Sequence, residues 1–448
     1  MGKHTKLTLW VAVMLFYTGA VSAGPQLEAS ASAEVSGGGS AEGAVTTEGT
    51  AAGSEIVPEA ETADAQADAE ADAAVAAEPP AMAPEPVAAP EPAAEAAPAA
   101  GANPIAGYDK GFFIQSPDGA FKLVIGARLK TRYDFYAHDM GPDEDRDFDN
   151  AFSVPYARLY FSGHLFDKKL TFLFNPELAG NPRLILGYAD YAFITDKLHL
   201  TFGQFKRPFS RNYLTSSGKR AFIDAPLGEF GRGTDFGLQL SNNYTKVEGL
   251  EWAVGIFNGT GTATVADFNP TLVARIGYNN GIKGYYPTDF EGGGLRFGVA
   301  MSGHIDFNAD EDGNGLAFYG FDYILKVQGF SFNGGVYTGW SGLYDADGEV
   351  DYDGDGVADP DPEPGYDLLG TFVQLQYLIA GKYEPVFRYG VEIPQEDDSS
   401  EHEITVGFTM YFFGQNFKWE NNFCTFIFQT PGDPLVDLAF KSQLQFLF

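Results

Sequence analysis

Six basic side chains, Lys206, Arg207, Arg211, Lys219, Arg220 and Arg232, crowd into one stretch of a chain whose formal net charge is -33. Guanidinium and ammonium groups gathered in this way attract anions, and Arg offers a planar fork that matches the oxygens of a phosphate. A second set of residues is acidic. Asp351, Asp353, Asp355 and Asp359, with Gly356, spell D-x-D-x-D-G-x-x-D, in which oxygen ligands alternate and a glycine permits the tight turn that a hard cation such as Ca2+ needs. Asn308, Asp310, Asp312 and Gly313 make a shorter copy. Neither copy is arranged as a helix-loop-helix, and a plain solvated acidic loop is the alternative. Catalytic spacing is missing: the six histidines form no H-E-x-x-H, and G-x-S-x-G and phosphate-cradling P-loop patterns do not occur, so an enzyme is not expected.

The elements that must position the basic run are strands. Residues 202–240 read as two short strand patterns joined by a long loop. The same period of two runs through the chain from Phe121: Leu123, Ile125, Ala127 and Leu129 share one face, and Lys122, Gly126, Arg128 and Lys130 the other. It recurs at 158–165, 295–304 and 403–412. These runs exceed the five or six residues usual for a soluble strand, and they fit a barrel tilted in a bilayer. The expected fold is therefore all-β: a transmembrane antiparallel barrel of about sixteen strands, at 120–136, 152–166, 169–178, 183–194, 197–206, 233–241, 249–257, 271–279, 294–306, 315–327, 329–341, 367–379, 382–393, 403–413, 416–428 and 436–448. Long connectors alternate with tight ones, as expected for an outer and an inner rim, with 280–293 as a long inner exception.

Composition agrees. Aromatics make up 15% and Gly 54 residues, yet no run approaches the roughly 20 apolar residues of a spanning helix. Residues 1–23 read as a signal peptide, with Lys3 and Lys6, an apolar core and Val21-Ser22-Ala23 at the end. Residues 24–103 hold fifteen acidic residues and no Lys or Arg. Such a segment cannot bury enough apolar surface to offset chain entropy and is expected to be a disordered periplasmic spacer or tether. The barrel domain, 104–448, keeps 46 acidic against 26 basic residues. Cys424 is the only cysteine, so no internal disulfide is expected.

The closing strand places Val436, Leu438, Phe440, Leu444, Phe446 and Phe448 on one face and ends on an aromatic, a feature that resembles the insertion signal of bacterial outer-membrane barrels. RLYFSGHLFD (158–167), ADYAFITDKLHLTFGQFKRPFSRNYLTSS (189–217), FGRGTDFGLQL (230–240) and WAVGIFNGTG (252–261) together resemble the phosphate-selective porin O and P family. The resemblance implies a bacterial outer-membrane location, a sixteen-stranded barrel that assembles as a homotrimer among outer-membrane lipids, and a third loop folded into the lumen. It also implies passive transport of phosphate or polyphosphate; no cofactor for transport and no nucleic-acid partner are expected.

Face assignment sorts the remaining charges. Lys122, Arg128, Lys130, Arg132, Arg158, Arg275, Arg296 and Arg388 fall on polar faces and, with the basic loop, would line an anion pathway through the lumen. The alternative is that they pair with wall acids such as Asp134, Glu384, Glu392, Glu403 and Glu420. At the level of function, a passive small-anion channel is expected. A structural envelope protein tethering the outer membrane through its acidic tail, or a non-selective diffusion porin, are the other readings.

Overall fold

The computed structural model describes residues 105–448 apart from 109–110, 142–145, 196, 230–232, 260–269, 283, 308–315, 341–367, 395–398, 430–431 and 433. The expected signal peptide and acidic segment, Arg232, the shorter acidic copy at 308–313 and the calcium candidates Asp351, Asp353, Asp355 and Asp359 lie outside the described residues.

A short hairpin, β1 (Ala106–Tyr108) and β2 (Phe112–Gln115), precedes sixteen longer strands. These are β3 (Lys122–His138), β4 (Asp147–Leu165), β5 (Asp167–Glu177), β6 (Arg183–Ile194), β7 (Leu198–Lys206), β8 (Thr234–Ser241), β9 (Gly249–Phe257) and β10 (Thr271–Asn280). They continue with β11 (Arg296–Asp306), β12 (Leu316–Val327), β13 (Phe330–Trp340), β14 (Leu368–Tyr377), β15 (Tyr383–Pro394), β16 (Ser400–Phe413), β17 (Phe417–Gln429) and β18 (Leu435–Leu447). Each pairs antiparallel with the next, and β18 returns to β3 from Leu438↔Ala137 to Leu447↔Arg128. The result is a closed antiparallel barrel of sixteen strands, in which every strand edge is paired.

Alternation decides which side chains face in. Arg128 and Lys130 are buried at 1% and 0% exposure while Leu129 between them is 42% exposed, and Glu403 and Thr405 are buried while Ile404 and Val406 face out. The outer surface carries an apolar belt, including Phe202, Leu240, Ile256, Met301, Phe408 and Phe423. Toward the inner rim Phe412, Phe417 and Phe446 stack with centroids 4.6 Å apart, where an aromatic girdle meets the interface.

Strand positions agree with the sequence-based expectation to within a few residues, with one larger difference. β4 begins at Asp147 rather than 152, because its ladder with β3 continues to His138↔Asp147 beyond the apolar belt, where composition no longer alternates. The ladder also slips between Lys130 and Arg132, opposite Tyr156 and Ser153. Pro155, which has no N–H to donate, sits in that bulge.

The hairpin β1–β2 was not expected from the sequence, since strands of three and four residues are too short to show a period. It occupies the part of β3 that β18 cannot reach. Phe448 exchanges backbone hydrogen bonds of 2.8 and 3.0 Å with Ala127, and below that point β2 takes over, from Phe112↔Ile125 to Gln115↔Lys122. Gly126 lies at the changeover: a Cβ there would meet the Phe448 carbonyl oxygen at 2.7 Å.

Candidate functional site

The segment 207–233 leaves the outer end of β7 and folds into the barrel. Phe209 is fully buried beside Tyr337 and His304, with ring centroids 6.1 and 6.2 Å away, and the Ser302 hydroxyl donates to its carbonyl at 2.6 Å. A single helical turn, α1 (Arg211–Leu214), follows. Ser210 caps it by accepting from the Tyr213 N–H at 3.2 Å. Glu229, from the far end of the loop, accepts from the same N–H at 2.9 Å and from the Asn212 amide at 2.6 Å. Because both ends of the loop bond the same turn, the loop is a closed unit rather than an open excursion.

Wall cations fix that unit. Arg128 donates to the Ser216 hydroxyl at 3.1 Å and Lys130 to the Ser217 carbonyl at 3.1 Å. Lys418 reaches the Arg220 carbonyl at 3.0 Å, and Arg388 the carbonyls of Asp224 and Ala225 at 2.9 and 3.2 Å. Lys206 donates to the Tyr213 carbonyl at 2.8 Å. The loop therefore spans the lumen, from β7 and β8 to β15, β17, β18 and β3. Gly228, at φ +76°, is where it closes on the wall: a Cβ there would sit 2.4 Å from the Val391 carbonyl oxygen, so only glycine fits.

From the inner rim a second segment enters. Residues 281–295 connect β10 to β11, and Ile282, Tyr285, Tyr286, Thr288 and Asp289 are buried. Asp289 pairs with Arg296 at 2.5 Å and accepts from the Gly329 N–H at 2.8 Å; Lys326 donates to the Thr288 carbonyl at 3.0 Å. The Thr288 hydroxyl reaches Glu384 at 3.1 Å, and Phe290 packs on Tyr411 with centroids 5.0 Å apart. Loop and turn meet where the Thr215 hydroxyl donates to the Tyr285 carbonyl at 2.8 Å. The long inner connector expected from the sequence is thus a floor beneath the loop on the β10–β16 side.

Between the two segments lies a charge network. Asp322 bonds Arg275 at 2.6 Å and Arg211 at 3.1 Å, and Glu251 lies 3.4 Å from Arg211. The Tyr285 ring stacks under the Arg211 guanidinium at 4.2 Å, and its hydroxyl donates to Glu251 at 2.9 Å. Burial, with the neighbouring Glu251 carboxylate, pushes the Tyr285 phenol well above its ordinary value, which keeps it a neutral donor.

Nearer the outer mouth, Asp224 receives Lys441 at 2.6 Å and Arg132 at 3.4 Å, and 38% of its side chain stays accessible to the lumen. Burial raises its carboxyl, but Lys441, Arg132 and Arg388 outweigh that and hold it below the usual carboxylate range. A carboxyl lowered on folding stabilises fully above its unfolded value of about 3.9, and that contribution is lost as pH falls through the folded value. Protection of the loop from protease is therefore expected to stay constant from pH 8 down to 5 and to fall only in stronger acid. An Asp224→Asn variant should show the loosened state at every pH; protection that falls between pH 8 and 6 would contradict the assignment.

The other expected pathway residues sort as follows. Arg158 pairs with Glu177 at 2.6 Å, Arg388 with Glu403 at 2.5 Å, and Arg132 also with Asp134 at 2.9 Å. Arg207 reaches Asp306 at 4.0 Å and His304 at 3.1 Å, and Lys122 lies over the Phe113 ring at 4.7 Å near the inner rim. Lys219 and Arg220 are buried at the loop tip. There Arg128, Lys130 and Arg158 surround the Tyr156 ring at 5.3, 4.6 and 4.4 Å. With Lys219, Arg220 and Lys418 this end of the lumen gathers six cations; Arg158 pairs with Glu177 and Lys418 with Glu420 at 2.8 Å. Sequence reasoning missed Asp322, Glu251, Glu229 and Tyr285; the first two do alternate onto lumen faces of β12 and β9, which was the available signal.

A closed barrel with an apolar outer belt, a polar lumen and an in-folded loop defines an outer-membrane porin, a channel architecture rather than that of an enzyme. Residues 125–278 match the model of the family phosphate-selective porin O and P, as the motifs of that stretch suggest. An uncharacterized protein of Aquifex aeolicus (strain VF5) is 26% identical over 357 residues, covering 73% of this chain and 77% of its own. Among solved structures, an anion-selective porin from Comamonas acidovorans is similar at a TM-score of 0.49 and 10% identity, over 73% of this chain and 99% of its own. The outer-membrane channel DcaP of Acinetobacter baumannii gives 0.48 at 15% identity, over 75% and 99%.

Proposed function

We propose that this barrel is a passive channel for small anions, inorganic phosphate among them. The observation that supports it is the gathering of six cations, Arg128, Lys130, Arg158, Lys219, Arg220 and Lys418, at the tip of the in-folded loop. Lys130 and Lys418 donate to loop carbonyls and Arg128 to a loop hydroxyl, bonds that fix their positions without cancelling their charge. In a low-dielectric wall such fixed charge raises the local potential, enriches anions and penalises cations. Arg132, Arg207 and Lys441, which keep some exposure to the lumen, would extend that field along the path. Assembly as a homotrimer belongs to the same proposal. So does Ca2+ at Asp351, Asp353, Asp355 and Asp359, which would screen the acidic outer loops.

Planar-bilayer recording of the full chain in a potassium chloride gradient tests the proposal. The reversal potential should show anion preference, and a Lys219→Gln, Arg220→Gln double variant should lower the anion-to-cation permeability ratio several-fold. Millimolar phosphate should reduce the chloride current in the parent and less so in the variant. Cation preference in the parent, or an unchanged ratio in the folded variant, would refute it.

A further inference from the structure

Beneath the loop, beside the floor segment, whose Tyr285 packs on the lining residue Tyr244 with ring centroids 6.2 Å apart, a cavity of about 460 Å³ lies among the inward faces of β4–β8 and the inner-rim turns. We infer that this cavity is a binding site for a small hydroxylated organic anion, a sugar bearing one phosphate or carboxylate group, positioned just below the constriction. Two kinds of side chain line it, and together they call for two kinds of ligand group.

The first kind is cationic. Lys168, Lys169 and Lys246 stand exposed at the inner rim, where they present point charges to an anionic group entering or leaving. The lining carboxylate Asp190 is already engaged: it bonds His199 Nδ1 at 2.7 Å and accepts from the Thr201 hydroxyl at 2.9 Å.

The second kind is a set of acceptors. His199 and Gln239 are 8% and 3% exposed, and both line the cavity. His199 Nε2 and Gln239 Oε1 are buried with no hydrogen-bond partner among the described residues. With Nδ1–H donated to Asp190, Nε2 of a neutral imidazole is a lone-pair acceptor. A buried acceptor without a partner is costly, and what satisfies it is a donor; the hydrogen phosphate dianion carries a single O–H, which serves one of the two acceptors at most. The several hydroxyl groups of a sugar serve both. Tyr188 adds an aromatic wall against which the C–H face of a sugar can lie. The volume falls within the range of pockets that enclose organic ligands, about 300–1,000 Å³, and is more than inorganic phosphate requires.

This inference rests on the anion-channel proposal for its charged part alone, so the test separates them. On the full chain in planar bilayers, glucose 6-phosphate, inorganic phosphate and glucose would each be added on the inner-rim side and the half-blocking concentration of the chloride current read. Glucose 6-phosphate is expected to block at concentrations at least tenfold below either of the others. Gluconate should share that advantage over acetate, since the site takes either a phosphate or a carboxylate group. A His199→Ala, Gln239→Ala variant should lose the tenfold advantage, and a Gln239→Leu variant, which removes the acceptor while keeping volume, should lose most of it. Equal block by glucose 6-phosphate and inorganic phosphate in the parent overturns the inference while leaving anion preference, read from the reversal potential, intact. Block by glucose equal to that by its phosphate overturns it as well, and a cation-selective reversal potential would instead refute the channel proposal.

Discussion

An Asp322→Ala variant is expected to lose about 3–5 kcal/mol of stability, because removing one partner of a buried ion network strands charge in a low-dielectric interior. Asp322 is 2% exposed and holds Arg275 at 2.6 Å and Arg211 at 3.1 Å, the first on the wall of β10 and the second on the loop. Its loss leaves Arg275 with the Ser302 hydroxyl and the Phe209 carbonyl, and Arg211 with a longer contact to Glu251 at 3.4 Å. Two guanidinium groups would then repel each other across the Tyr285 ring, and the cheapest relief is for the loop to swing Arg211 toward water. The measurement is paired: urea unfolding in detergent should show the lost stability, and single-channel traces should show a larger, noisier current. An Asp322→Asn variant, which keeps the shape and one acceptor, should fall between the two. Parent-like current and parent-like unfolding in the Ala variant would mean that the loop is held by its backbone contacts alone.

Why Asp322 escaped the sequence reading while the barrel did not is a matter of range. Strand identity is local. Arg128 and Lys130 flanking Leu129, or Glu403 and Thr405 flanking Ile404, announce their faces within three residues, because lipid on one side and a polar lumen on the other impose opposite solvation on neighbours. The basic loop was legible for the same reason, as a composition confined to one stretch. Pairing is not local: Asp322 meets Arg211 from 111 residues away and Arg275 from 47. A single acid among Gly320, Ile324 and Lys326 reads only as one more polar lumen position.

The floor segment shows the same limit from another direction. Its length, against inner turns as tight as Asp167-Lys168, marked 280–293 as unusual. Its direction did not follow, because Tyr285, Tyr286 and Phe290 would suit a membrane interface as well as a lumen. What turns it inward is a set of partners on distant strands, Lys326, Glu384 and Tyr411. The floor supplies Lys326 with a carbonyl acceptor, adds the Thr288 hydroxyl to the bonds that Glu384 takes from Gln376 and Tyr411, and covers the Tyr411 ring with Phe290.

The second large effect follows from that floor. Excising residues 284–292 and joining the ends with a short glycine linker is expected to raise single-channel conductance several-fold, since it removes buried bulk from the β10–β16 side of the lumen and leaves the sixteen paired strands untouched. Anion preference should fall only modestly, because the cations around Tyr156 lie on β3 and β4, on the other side of the lumen. The variant strips Lys326 and Arg296 of Asp289, Glu291 and the Thr288 carbonyl, so a companion with Lys326→Met guards against misfolding from stranded charge. Two quantities decide the matter: conductance in symmetrical salt, and the reversal potential in a gradient. A large rise in conductance with preserved anion preference would place the ion path along β3–β9 and make the floor a filler of the remaining lumen. Unchanged conductance would show that the narrowest point lies elsewhere, at the loop itself. A collapse of selectivity to that of bulk salt would show that ions pass through the sector the floor occupies, and that the cations of the loop tip do not govern them.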